Sequence, residues 1–271
     1  MYKFITALLF IISCSNPNDI DIQEPTITNP YEWVESIHTE LGVPFDSDTS
    51  NDYIIIRYQY ALSYNKNTGT PNWVSWNLNK DWFGDVPRYK GNFITDTSLP
   101  ADFYRVKHSD YTNSKYDRGH MVRSEERTKT PEDNKSTFLL TNIIPQRPDL
   151  NRGVWLKFEY FCEDLCKEED KELYIVSGPI FHSDTTLKNE GKVRIPDSCF
   201  KIVVVLERGQ CLEDVSLDTQ IYSVIMPNIN GVRKDKWEKY KRSIDDIENS
   251  TGYNFLDKIP DDIEMFLEQK N

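Results

Sequence analysis

Residues 53–78 constrain the fold more than any other stretch of this 271-residue chain. Residues 53–64 are rich in β-branched and aromatic residues, seven of the twelve, a composition that suits a pleated, half-buried surface, and they predict one long strand. Residues 65–72 contain Gly69 and Pro71 and read as a turn. Residues 73–78 then alternate, predicting a second strand antiparallel to the first. Downstream, residues 173–176 and 202–206 are near-continuous apolar runs, expected as central strands. Residues 138–144 and 219–226 predict two more strands, and residues 86–116 mix short extended pieces with polar loop. Helical signals are fewer. Asp149 is a candidate N-cap for a helix to about Cys166. Residues 234–242 and 243–249 predict short helices, the second opened by Ser243 with Asp246 and closed by Gly252. The expected architecture is α+β: a mostly antiparallel central sheet with packed helices.

The N-terminus is expected to stand apart from that domain. Lys3 followed by an apolar stretch over residues 5–12 is too short to span a bilayer and has the layout of a secretory signal. Ile11-Ile12-Ser13-Cys14 resembles a bacterial lipobox, in which the cysteine becomes the lipidated first residue. The expected division is a signal peptide at 1–13, a lipid-anchored N-terminus and linker at 14–50, and a folded domain at 51–271. This predicts an exported protein, tied to the cell envelope through Cys14. Four other cysteines remain, Cys162, Cys166, Cys199 and Cys211. In an oxidising compartment these allow two disulfides. Cys162 and Cys166 are spaced as helical neighbours, a poor geometry for a bond, so pairing with Cys199 and Cys211 is expected. A zinc half-site at Cys162 and Cys166 lacks a second pair at ligand spacing.

The formal net charge is −12, which at first sight argues against a polyanionic partner. The charge is segregated, however. Residues 86–158 hold 13 Lys and Arg against 9 Asp and Glu, and non-specific binding depends on local phosphate contacts.

That basic stretch also holds the chemistry. Asp117-Arg118-Gly119-His120 sets an imidazole, a base with an ordinary pKa of about 6.5, next to an arginine suited to phosphate. Asn151 and Glu159 lie eight residues apart on the expected helix. An amide oxygen and a carboxylate there suit a hydrated Mg²⁺. A base, a cation site and a phosphate clamp are the parts that phosphodiester hydrolysis needs. A histidine base at its ordinary pKa predicts activity that falls on acidification between about pH 8 and 5.

These patches, with Leu140-Thr-Asn142-Ile-Ile-Pro-Gln146 between them, resemble the DNA/RNA non-specific endonuclease family. The resemblance extends over residues 50–258, from Ala61-Leu-Ser-Tyr-Asn65 and Trp73-Val-Ser-Trp76 to the closing Ile247-Glu-Asn-Ser-Thr-Gly252. It implies a ββα-metal (His-Me finger) core, a Mg²⁺ cofactor or Mn²⁺ or another divalent cation in its place, and DNA or RNA as substrate. It also implies roles. His120 would be the general base, and Asn151 the direct protein ligand to the cation. Glu159 would hold the cation's waters. Arg118 would contact phosphate, Arg88 would stabilise the transition state, and Asn142 would organise the site. The rivals are a catalytically silent nucleic-acid-binding surface protein and a phosphodiesterase of small substrates. The sequence leaves the oligomeric state open, a homodimer included.

Overall fold

The computed structural model describes residues 28–188 and 191–270. The signal peptide expected at 1–13 and the expected lipidation site Cys14 lie outside those residues. Among the described residues, six strands form one antiparallel sheet: β1 (Tyr53–Ile56), β2 (Ala61–Asn65), β3 (Thr70–Leu78), β6 (Lys171–Ile180), β7 (Ser198–Glu207) and β8 (Gln220–Pro227), in that spatial order. A separate two-stranded unit pairs β4 (Asp117–His120) with β5 (Ile143–Gln146). The helices are α1 (Pro131–Ser136), α2 (Trp155–Lys167), α3 (Ile244–Thr251) and α4 (Asp261–Glu268). The α+β expectation therefore holds, with β4, β5 and α2 supplying the ββα unit.

The sheet is buried on both faces, which is why its central strands read as apolar runs. Trp76, Leu78, Leu173, Ile175, Val203 and Val205 point to one side, where Trp155, Phe158 and Leu165 of α2 cover them. Trp73, Tyr174, Val176, Ile202 and Val204 point to the other, against Val34 to Phe45, Ile244 and Ile247 of α3, and Leu267 of α4.

Several expectations need correction. Residues 53–64 are two strands of a hairpin, not one strand. Its turn has no glycine or proline to announce it and is held from outside. His38 Nε2 donates to the Tyr58 carbonyl at 2.9 Å. Arg127 donates to the Gln59 carbonyl through Nε at 3.0 Å and Nη2 at 2.7 Å. The strand expected at 138–144 starts only at Ile143, after a 3-10 turn over Leu140–Asn142. Residues 234–242 form only a short 3-10 turn, Trp237–Tyr240. The helix after Ser243 forms as expected, with both capping-box bonds and a left-handed Gly252 at φ 80°. Helix α4 had no strong signal and was missed.

All four described cysteines are free thiols. Cys162 and Cys166 sit on the inner face of α2, Cys199 is buried on β7, and Cys211 is partly exposed in the loop before β8. Cys166 Sγ lies 3.6 Å from the Leu78 carbonyl and Cys199 Sγ 3.6 Å from Gln146 Nε2, so these thiols fill core positions.

Candidate active site

Strand β4 is the Asp-Arg-Gly-His segment itself, with Gly119 opposite Ile144 and His120 opposite Ile143 on β5. Alternation puts Arg118 and His120 on one face and Asp117 on the other. Gly119 answers to packing, not to a turn or a close substrate. A Cβ there would lie 2.7 Å from Cγ of Gln146, a side chain with no exposure.

Two aromatic rings fix His120. Phe93 lies 5.3 Å away by ring centroids, and Phe138 lies 5.0 Å away and edge-on. Nε2 is buried without a protein partner, which leaves Nδ1 as the nitrogen that can meet a water. Burial, aided by the nearby Arg88 charge, lowers the imidazole from its ordinary range to about 3. His120 is thus neutral across the physiological range. An activity loss between pH 8 and 5 does not follow from its protonation here, which corrects the expectation from sequence.

Both candidate arginines flank this histidine, and each shares one of its rings. The Arg88 guanidinium lies 5.0 Å from the Phe138 centroid and bonds Glu125 Oε1 at 2.8 Å and the Ser124 hydroxyl. Arg118 lies over Phe93 at 5.6 Å and Tyr111 at 5.5 Å, and its Nη2 donates to the His108 carbonyl at 2.9 Å. The two phenylalanines that join the group were not found from sequence, because isolated aromatic residues in loops look like any core residue.

Asp117, on the opposite face of β4, gathers the next pair. It accepts from Asn151 Nδ2 at 3.0 Å and from Arg152 Nε at 2.7 Å. The amide nitrogen of Asn151 is thereby committed, and its oxygen is left for an oxygen-seeking cation. Asn151 and Glu159 do not share one regular helix as expected. Asn151 sits in a π turn, Leu150–Val154, whose Gly153 is non-helical (φ −126°, ψ −111°). A side chain at 153 would meet Arg233, since its Cβ would lie 2.6 Å from that Cα. Glu159 follows on the regular α2 and is 5 % exposed.

Glu159 is held by charge. Arg123 Nε lies 3.8 Å from one carboxylate oxygen and Lys201 Nζ lies 3.9 Å from the other. Among the described residues its carboxylate makes no direct hydrogen bond. Burial raises it to about 7, against the pull of Lys201 and Arg123. Arg123 also pairs with Glu125 at 3.3 Å and Glu163 at 2.5 Å. A continuous ladder, Arg88–Glu125–Arg123–Glu159, therefore joins the histidine side of the site to the carboxylate side.

Asn142 takes a different place from the other site candidates. It has no exposure, accepts from the Val122 amide at 3.0 Å, and donates to the Val122 and Thr137 carbonyls at 3.0 and 2.9 Å. It cannot touch substrate. It ties the segment after His120 to the segment before β5, and so acts on position alone. The basic stretch also needs correction. Arg123 is 9 % exposed and Arg127 is 0 %, the latter lying 4.0 Å from the Trp82 ring centroid. Neither belongs to a solvated basic surface.

The profile of the DNA/RNA non-specific endonuclease family matches residues 41–262. A nuclease of Nostoc sp. is 42 % identical over 98 % of this chain and 96 % of its own length. Mouse mitochondrial nuclease EXOG is 27 % identical over 85 % of this chain, which spans only 63 % of that relative. In a solved EndoG/EndoGI complex, one chain superposes with a TM-score of 0.68 at 26 % identity, covering 82 % of this chain and 91 % of that one. With the ββα unit and the His120 and Asn151 groupings in place, the chain belongs to the DNA/RNA non-specific endonuclease family, a family of hydrolytic nucleases.

Proposed function

We propose that the protein is a Mg²⁺-dependent endonuclease that cuts DNA, RNA or both without sequence preference. Neutral His120 takes a proton from a water through Nδ1 as that water attacks phosphorus. The bond from phosphorus to the leaving sugar oxygen breaks, and that oxygen gains a proton from solvent. Arg88 and Arg118 offset the charge that builds on the non-bridging oxygens, the term that dominates phosphoryl chemistry. Phe93 and Phe138 keep the histidine and both arginines in register. Asn151 and Glu159 would hold the cation, Mg²⁺ or Mn²⁺. When bound it supplies Lewis-acid polarisation of the phosphate. Asp117 orients Asn151, and the ladder through Arg123 orients Glu159.

The observation that carries this reading is the Asp117–Asn151 bond, which commits the amide nitrogen of Asn151 and leaves its oxygen for a cation, with Asp117 on the same short strand as His120. The test is plasmid nicking with Mg²⁺, with chelator, and after cation is restored, alongside a chromogenic small phosphodiester. Nicking should vanish with chelator, return with Mg²⁺ or Mn²⁺, and exceed cleavage of the small ester. Nicking that persists in chelator refutes the cation requirement. We also propose that the enzyme works outside the cytoplasm, anchored through a lipidated Cys14. The lipobox-like Ile11-Ile12-Ser13-Cys14 supports this. The Cys14→Ser variant should move from the membrane to the soluble fraction.

A further inference from the structure

One charged side chain lies where the fold calls for an apolar one. On β7, Cys199, Val203 and Val205 face α2 within the apolar core, and Lys201 sits between them with 1 % exposure. Its ammonium is 4.6 Å from the Trp155 ring centroid and 5.3 Å from that of Trp76. It stands 3.9 Å from Glu159 Oε1. Glu126 has no exposure and neither of its carboxylate oxygens has a hydrogen-bond partner; burial raises its carboxyl, against the pull of the Lys201 charge. Nε1 of Trp76 and Nε1 of Trp155 are likewise buried without one.

Packing does not explain a lysine here. Burying an ammonium costs several kcal/mol, and well-packed apolar residues often replace buried ion pairs without loss of stability. The spacing does suggest a use. At 3.9 and 3.8 Å, Lys201 and Arg123 each face one oxygen of Glu159 beyond direct hydrogen-bond reach. They fix the carboxylate by charge and leave its lone pairs free for the site.

We propose that Lys201 is a positioning residue of the nuclease, holding Glu159 from beneath, with Glu126 as its second counter-ion. The inference rests on reading Glu159 as a carboxylate of the active site. A lysine inside an otherwise apolar strand face is the sequence signal that points to it.

The test uses the full chain at saturating Mg²⁺ on an oligonucleotide substrate, with kcat, KM and Tm measured for each variant. Lys201→Met should lower kcat about 10- to 100-fold, the usual range for a residue that supports a site ligand, with KM within about twofold. Since Lys201→Met alone strands two carboxylates, Lys201→Met/Glu126→Gln restores the charge balance. It should fold with a Tm at or above wild type and show the same kcat loss. In a Glu159→Gln background, Lys201→Met should add nothing further, because residues that act through one another are not additive. A folded Lys201→Met/Glu126→Gln enzyme with wild-type kcat overturns the inference and leaves the role of Glu159 intact. Full additivity with Glu159→Gln overturns it in the same way. Wild-type kcat in Glu159→Gln itself removes the reading of Glu159, and this inference with it.

Discussion

Gly119→Ala is the sharpest probe of how β4 presents the histidine. The new Cβ would lie 2.7 Å from Cγ of Gln146 and nearer still to its amide oxygen. Gln146 has no exposure, and its Nε2 rests on Cys199 Sγ at 3.6 Å, so it has little room to swing aside. Forcing a methyl into such a site costs about 1–3 kcal/mol. At roughly 2–4 °C per kcal/mol for a domain of this size, Tm should fall by about 2–12 °C. The ladder between β4 and β5 must open to admit the methyl, and His120 is the next residue along it. A displacement near 1 Å at a reacting group costs on the order of 100-fold in rate. Thermal melts and plasmid nicking measure both effects. The double variant Gly119→Ala/Gln146→Ala removes the obstacle and should regain much of the rate. A Gly119→Ala enzyme with wild-type Tm and rate refutes the packing argument. A double variant no better than the single one shows that the backbone, not Gln146, demands glycine.

Three further outcomes follow from particular contacts. Asp117→Asn should raise the Mg²⁺ concentration needed for half-maximal nicking while moving Tm little, because it loosens Asn151 and Arg152 at the surface; an unchanged Mg²⁺ dependence sinks that role. Glu268, the last residue of α4, is raised to about 8 by burial and by Glu248 of α3, so the folded state favours its protonated form. That contribution is full below about pH 4.5 and is lost as pH rises towards 8. Tm of Glu268→Gln should therefore exceed wild type at pH 8 and match it near pH 5, and equal Tm values at both pH values would contradict the burial. Because the four described cysteines are free thiols, a reductant should leave Tm unchanged, and a drop of several degrees would reveal a disulfide.

The parts of this protein that were legible in its sequence are those that local chemistry dictates. Ser243 with Asp246 announced a capped helix, and the alternation over residues 73–78 announced a strand antiparallel to the one before it. Asp-Arg-Gly-His announced an imidazole near an arginine, and both stand on one face of β4. The parts that were illegible depend on distant partners. The turn at residues 57–60 is held by His38 and Arg127, which no local pattern records. The π turn at Asn151 packs Gly153 against Arg233, eighty residues on, a contact that no local pattern records. Cys162 and Cys199 read as disulfide candidates because sequence counts thiols without measuring where they face. Arg127 counts among the 13 Lys and Arg of residues 86–158, yet it is spent inside on three backbone carbonyls. Phe93 and Phe138 carry no chemical signature, although they set the position of His120.

The proposed reaction requires His120 as its base, and His120→Ala removes that base. Nicking of plasmid at saturating Mg²⁺ and neutral pH should fall by at least about 100-fold, the lower range for loss of a general base. Circular dichroism and Tm should stay near wild type, since among the described residues the His120 ring makes no hydrogen bond that ties the fold together. A well-folded His120→Ala enzyme that nicks plasmid at the wild-type rate would contradict the account.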